Sequence, residues 1–302
     1  MELTDKIIIP PLQEKICAVI VTYFPDVDFP CRLELIRAQV SKVVIIDNTP
    51  GNRTQKILGG IDPFNVCTIH NTTNLGLATA MNQGAKWALE NGYKWALFLD
   101  QDTTVAPYII SSLLETYSMV GNPRVAIVGC NYDNPVIAQP AFKIKKDPWE
   151  VRLEVITSGS LISLEAWKKV GGFRETFFID CVDMEFGFKC SSVGYLVVFS
   201  FQVLMNHKIG NAKYYHVFGV PWLKLLCSHH PPFRKYFIMR NQLILWSEYF
   251  LKYPKWVIVN MMVFAFFIVK GLLLEDKLVS QIRFIFLGII DALMGKTDRK
   301  IV

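Results

Sequence analysis

No C-x-x-C pair occurs in these 302 residues, and the cysteines are odd in number: Cys17, Cys31, Cys67, Cys130, Cys181, Cys190 and Cys227. That argues against a disulfide framework and against a zinc site, and makes a reducing cytoplasm the expected compartment. The opening residues, Met1-Glu2-Leu3-Thr4-Asp5-Lys6, are acidic with no long apolar core behind them, so no signal peptide is expected. Internal repeats and low-complexity tracts are absent. No apolar run reaches the roughly 20 residues that a membrane-spanning helix needs. The longest in the C-terminal part, Trp256 to Val269, has 14 residues and is interrupted by Asn260.

What is present is apolar and unevenly charged. Hydrophobic residues make up 52% of the chain, and the mean hydropathy of +0.29 is high for a soluble enzyme. Residues 208–302 hold 14 Lys and Arg against 5 Asp and Glu, net +9; the first 207 hold 18 against 21, net −3. A basic, apolar final third on a near-neutral body points to an anionic membrane surface or an anionic substrate. Nucleic acid is not the expected partner, because the basic residues are interleaved with long apolar runs.

Short apolar strands alternate with helical patterns. Strands are expected at Ile16–Val21, Val43–Ile46, Val66–Ile69, Trp95–Leu99 and Val125–Cys130, with helices at Phe29–Val40, Leu75–Asn91 and Ile109–Met119. That alternation predicts a parallel, doubly wound sheet. Asn131–Glu150, with three prolines, reads as a long loop. Val155–Ile162 reads as a strand into a tight turn, Leu164–Val170 as a short helix, and Tyr195–Phe199 and Val203–His207 as two further strands.

Two carboxylate groups stand out. The run Trp95 to Leu99 stops at Asp100-Gln101-Asp102, at the end of a buried strand, where open α/β sheets bind ligands. Two carboxylates there suit Mg²⁺ or Mn²⁺, whose shells are completed by phosphate oxygens and water; the alternative is a turn cap before the helix at Pro107. The second group is Asp183 with Asp180 and Glu185, at a helix start. It reads either as a capping cluster or as a carboxylate desolvated by Phe177, Phe178 and Phe186 and so able to act as a general base.

Taken in order, Asp47-Asn48, Asn74-Leu75-Gly76 with Asn82, Asp100-Gln101-Asp102, Gly171-Gly172-Phe173 and Phe177 to Phe186 resemble the motifs of inverting glycosyltransferase family 2. Phe98 to Asp102, Thr157 to Ile162 and Tyr236 to Asn241 are similar to its bacterial rhamnosyltransferase branch. The resemblance covers about residues 16–250. It implies a GT-A-type, Rossmann-like, doubly wound mixed α/β sheet over residues 1–210. A helical extension over 211–302 would serve the acceptor and membrane attachment.

The resemblance also implies roles. Asp47 accepts the imide N–H of uracil or thymine, flanked by Thr22 and Asn48. Asn74, Gly76 and Asn82 belong to the donor site, with Asn74 and Gly76 on the loop that closes on the nucleotide-sugar. Asp100 lies near the ribose and sugar with Gln101 beside it, Asp102 is the principal metal ligand, and Asp100 and His207 complete the Mg²⁺ or Mn²⁺ set. Asp183 is the catalytic base. The residue before the base is commonly Glu in the family and is Val182 here; a lone histidine such as His207 is otherwise often structural. Arg240, on a helix read at Pro232–Tyr249, is shaped for phosphate.

The expected reaction is transfer of L-rhamnose from dTDP-β-L-rhamnose to a lipid-linked oligosaccharide on the cytoplasmic face of the inner membrane, as in O-antigen assembly. A UDP-hexose donor, or a non-catalytic sugar-binding protein of the same fold, are the other readings. Trp256–Val269 and Phe284–Met294 are expected either as interfacial helices anchored by Lys, Arg and Trp or as helices buried on the catalytic domain.

Overall fold

The structure, a computed structural model, describes residues 15–51, 53–135, 139–207, 211–216, 224–297 and 299. Met1–Lys6, on which the expected absence of a signal peptide rests, lies outside them. The strands are β1 (Ile16–Thr22), β2 (Lys42–Asp47), β3 (Val66–His70), β4 (Trp95–Asp100), β5 (Thr104–Val105), β6 (Val125–Asn134), β7 (Gln139–Pro140), β8 (Trp149–Arg152), β9 (Ser160–Ser163), β10 (Leu196–Asn206), β11 (Asn211–His216) and β12 (Lys224–His229). The helices are α1 (Phe29–Arg37), α2 (Gln55–Leu58), α3 (Leu77–Glu90), α4 (Ile109–Val120), α5 (Leu164–Lys169), α6 (Val182–Ser192), α7 (Pro232–Tyr249), α8 (Pro254–Leu274) and α9 (Leu278–Leu293).

The continuous apolar runs are explained by burial on both faces, because successive strand side chains point to opposite sides. Cys17 and Val19 of β1 face one core with α3, α5 and α6. Ile16, Ala18 and Ile20 face the other, with α1 and α4. The sheet order is β3-β2-β1-β4-β9-β6-β10-β5, with β7 on β6 and β8 on β10. Strands β3, β2, β1 and β4 are parallel, and β9 runs antiparallel between β4 and β6. The sheet is therefore mixed but mostly parallel, since β10 pairs in parallel with β6 and only β9 and the short β5, β7 and β8 run the other way.

Four local expectations change. Asn131–Glu150 is not all loop, because β6 runs on to Asn134 and β7 and the start of β8 fall inside the segment. In Val155–Ile162 only Ser160 onward is strand, the rest being a turn. Tyr195–Phe199 and Val203–His207 form one strand, β10, whose register against β6 slips after Ser200. Such a bulge breaks the alternation that marks a single strand. Residues 211–229 contain an antiparallel hairpin, β11–β12, so the C-terminal part is not purely helical.

The apolar run extends beyond its 14 central residues. Helix α8 has 21 residues with mean hydropathy 2.4 and only 11% of its apolar window buried. At 1.5 Å per residue it is about 31 Å long, against a hydrocarbon core of about 30 Å, so it is long and apolar enough to cross a bilayer. Helix α9 packs on α7, where the Tyr236 hydroxyl donates to buried Asp291 at 2.8 Å. That contact accounts for the charge that interrupts its apolar segment.

Candidate active site

The parallel half aligns three strand ends. Thr22 pairs in register with Asp47, and Val21 with Asp100. After Asp100 the chain turns through Gln101 and Asp102 into β5. Val105 and Thr104 pair with Met205 and Asn206 at the end of β10. This two-residue ladder brings His207 to the acidic turn. One ligand atom each from Asp100, Asp102 and His207 lie within 4.8 Å of one another, and His207 Nε2 is 3.9 Å from an Asp100 oxygen.

Desolvation raises the Asp100 carboxyl despite His207, with Asp102 adding to the rise; a divalent cation would relieve that repulsion. Two carboxylates and an imidazole fit Mg²⁺ or Mn²⁺. Ligand atoms around such an ion stand at most about 4.2 Å apart, twice a bond of about 2.1 Å, so small side-chain rotations would complete the set. The imidazole is held from behind. Thr103 Oγ1 is 3.1 Å from His207 Nδ1 and 2.7 Å from Ser158 Oγ, which also accepts the Asp100 amide at 3.0 Å. With Nδ1–H donating to Thr103, Nε2 keeps its lone pair toward the carboxylates. Ser158 thereby gives the Thr157–Ile162 motif a physical role.

Asp47 is fully buried. It accepts from the Thr22 hydroxyl, the Thr49 amide, the Thr54 hydroxyl and His70 Nδ1, at 2.6–3.1 Å. A carboxylate has about four acceptor positions, and all four are filled. Burial pushes its pKa up, but the bonds from Thr54, Thr49 and His70 prevail and hold it below the usual range. In this arrangement Asp47 ties the end of β2 to Thr22 at the end of β1 and His70 at the end of β3. Thr22 is likewise buried and turned toward Asp47. Asn48 is also structural here, bonding the Gly76 carbonyl and Asn71.

Asn74 caps the Gly76 amide at 2.9 Å. Gly76 has φ +87°, and a Cβ there would meet Phe178 Cδ2 at 2.6 Å, so only glycine fits. The Leu77 amide donates to the Phe178 carbonyl at 2.7 Å, joining the Asn74–Gly76 loop to the segment before Asp183. That segment is strained, because Asp180 and Cys181 both have left-handed backbone, at φ 67° and 60°. It delivers Asp183 to the first turn of α6. Burial pushes the Asp183 carboxyl up to about 6 against backbone hydrogen bonds, with Asp180 and Asp100 adding. The position before it, Val182, lies in the apolar core, where a carboxylate would be desolvated. Glu185 is buried and paired with Lys189, and Asp180 is bound by Arg234, so neither stands in for the base.

Three expected donor contacts face elsewhere. Arg240 is fully buried, and its guanidinium is engaged with Asn241 Oδ1, the Tyr236 hydroxyl and the Thr176 and Thr297 carbonyls; it braces the base loop and reaches no phosphate. The Asn82 amide is tied to Phe173, Glu175 and Trp167. Gln101 exchanges two hydrogen bonds with the Tyr23 backbone, latching the loops after β1 and β4. The guanidinium facing the carboxylates is that of Arg234. It binds Asp180, and its own pKa is raised because the charges of Asp180 and Asp100 outweigh burial. Thr103 and Arg234 stand at the site, and Glu154 lines the cavity beside Asp183, without belonging to any of the motifs that mark it in the sequence. Arg234 sat in the sequence as one of three basic residues on one helix, whereas nothing local marks Thr103 or Glu154.

Residues 18–153 match the family model Glycosyl transferase family 2. The dTDP-rhamnosyl transferase RfbF of Shigella flexneri is 27% identical over 254 residues, 78% of this chain and 80% of that protein. Among solved structures, S. aureus TarS 1-349 superposes with a TM-score of 0.57 at 16% identity, over 94% of this chain and 82% of its own. GalNAc-T7 with UDP, GalNAc and Mn2+ gives 0.50 at 14% identity, over 62% of this chain and 42% of its own. These two likenesses concern the fold, which is GT-A-like with a central, mostly parallel sheet.

Proposed function

We propose that this chain, which carries a glycosyl transferase family 2 domain, moves L-rhamnose from dTDP-β-L-rhamnose to a lipid-linked oligosaccharide with inversion at the anomeric carbon. The site of action is the cytoplasmic face of the inner membrane, in cell-surface polysaccharide or O-antigen assembly. Residues 1–210 do the chemistry, and 211–302 serve the acceptor and the membrane. The observation that carries the reading is the pairing of an Asp100–Asp102–His207 cluster with a separate, desolvated Asp183. The likeness to a dTDP-rhamnosyl transferase supports the donor. The exposed apolar face of α8 supports the membrane.

Asp102, Asp100 and His207 would hold Mg²⁺ or Mn²⁺. When bound, the ion supplies positive charge against the diphosphate of the leaving nucleotide. Asp183 takes the proton from the acceptor hydroxyl as that oxygen attacks the anomeric carbon and the bond to the nucleotide breaks. Arg234 holds Asp180 and adds positive charge beside Asp100. The strained backbone at Asp180 and Cys181 sets the direction of Asp183. Asp183→Asn tests the assignment: turnover should fall by about 10²–10⁴-fold while dTDP still binds. Activity within a few-fold of wild type removes Asp183 from the role.

A further inference from the structure

Beside Asp183 lies a cavity of about 460 Å³, within the about 300–1,000 Å³ range of small-ligand sites. Its walls include Tyr132, Phe142, Phe199 and Trp256, and its polar groups include Asp183, Arg152 and Glu154. Glu154 is brought there by close packing. Gly187 stands one helical turn after Asp183 on α6, and a Cβ at Gly187 would sit 2.4 Å from the Leu153 carbonyl. The segment 153–154 therefore lies against the face of α6 that carries Asp183. Glu154 Oε1 accepts from the Trp256 indole N–H at 3.3 Å. Its other oxygen, Oε2, is buried with no hydrogen-bond partner among the described residues. Burial, with Asp183 adding, pushes this carboxyl to about 7 against the Trp256 and Arg152 contributions. Arg152 is stacked 3.5 Å over the Phe199 ring and bonded to Glu150.

We propose that this cavity is the acceptor subsite for a pyranose ring, in which Glu154 Oε2 accepts a ring hydroxyl and the Trp256 indole covers the apolar C–H face of the sugar. The inference deepens the transferase reading and rests on Asp183 as its base. Carboxyls beside aromatic faces suit a neutral polyol: hydroxyls donate to Oε2, and aromatic rings accept the apolar face. They disfavour a phosphate, which would meet two carboxyl groups. Trp256 stands in the first turn of α8, the helix long and apolar enough to cross a bilayer, so the same element would hold both acceptor sugar and lipid. Trp256 then acts as a wall of the sugar site, not as an interfacial anchor.

The test is saturation-transfer NMR on full-length protein in detergent, with methyl α-L-rhamnopyranoside and methyl N-acetyl-β-D-glucosaminide as probes. dTDP and Mn²⁺ are kept saturating so that the donor site is filled. At least one glycoside should bind saturably. Glu154→Gln and Trp256→Ala should each weaken it by at least about tenfold, and Trp256→Phe, which keeps an aromatic ring, should weaken it less than Trp256→Ala. dTDP affinity should stay within about twofold in all three, with melting curves confirming folded protein. Absence of saturable binding, or affinities unchanged by Glu154→Gln and Trp256→Ala, overturns the subsite. Failure of the wild type to bind dTDP would instead strike the transferase reading, so the two outcomes are separable.

Discussion

The side-chain nitrogen of Asn241 lies 2.9 Å from the carbonyl oxygen of Asp180, and donates equally to that of Ile179. Helix α7 thereby holds the left-handed turn that aims Asp183, with Arg240 adding a bond to the Thr176 carbonyl one segment earlier. Asn241→Ala removes both donors and should let the turn relax. Misplacing a catalytic group by about 1 Å can reduce rate by about 10²-fold. The expected result is a kcat loss of that order with dTDP affinity nearly unchanged, read by steady-state kinetics and calorimetry. An unaltered kcat would show that the turn holds itself.

The hydroxyl of Thr103 stands 3.1 Å from His207 Nδ1, where it can accept Nδ1–H and leave Nε2 free for a metal. Thr103→Val keeps the volume but removes the acceptor for Nδ1–H, and Mn²⁺ affinity measured on the nucleotide-free protein should fall by about 10–100-fold. His207→Ala and Asp102→Ala should lower it further. Equal Mn²⁺ binding in wild type and Thr103→Val would mean that the ring is oriented by other contacts, such as its edge-on packing with Tyr132.

Asp183 works as a base only when ionised, and its pKa is raised to about 6. At saturating Mn²⁺, kcat/KM should therefore climb with pH through about 6 and level off above it. The folded-state pKa exceeds that of the unfolded chain, so the stabilising contribution is complete below about pH 4 and lost as pH rises through 6. Asp183→Asn should consequently raise Tm at pH 8 and show little gain at pH 4. An acid limb centred near 4, or the same Tm difference at both pH values, would contradict the shift.

Much of this arrangement was legible in the sequence, and the exceptions share a cause. The β4 run ending at Asp100-Gln101-Asp102 was readable because buried strands are apolar on both faces and stop at their rim. The junction of Asp102 with His207 depends on β5, two residues long, which no periodicity can reveal. Arg240 resembled a phosphate ligand because residue type does not disclose burial; its neighbour Arg234, of the same charge, is the one beside the carboxylates. The spacing of Asp47 placed it correctly at a strand end, yet its four donors come from Thr22, Thr49, Thr54 and His70, three separate stretches of chain.

Membrane attachment is best tested without truncation. Removing α8 and α9 would strip the buried Lys235 of its partner Glu275, 2.7 Å away, and leave an uncompensated charge in the core. Val259, Val263 and Phe266 are each more than half exposed. Lysine at all three should move the protein from the membrane to the soluble fraction while dTDP binding persists, each charge opposing insertion by about 2.5–3.5 kcal/mol near a helix centre. A triple variant that still sediments with membranes would remove α8 from that role.

The most direct test of the central claim is a donor comparison on the purified full-length protein with Mn²⁺ and a lipid-linked saccharide acceptor, reading nucleotide release and the anomeric configuration of the product. The account predicts that dTDP-β-L-rhamnose is turned over in preference to UDP-glucose and UDP-galactose, and that the new linkage is α. Preference for a UDP-hexose would contradict the donor, and a β-linked rhamnoside would contradict single displacement with Asp183 as base.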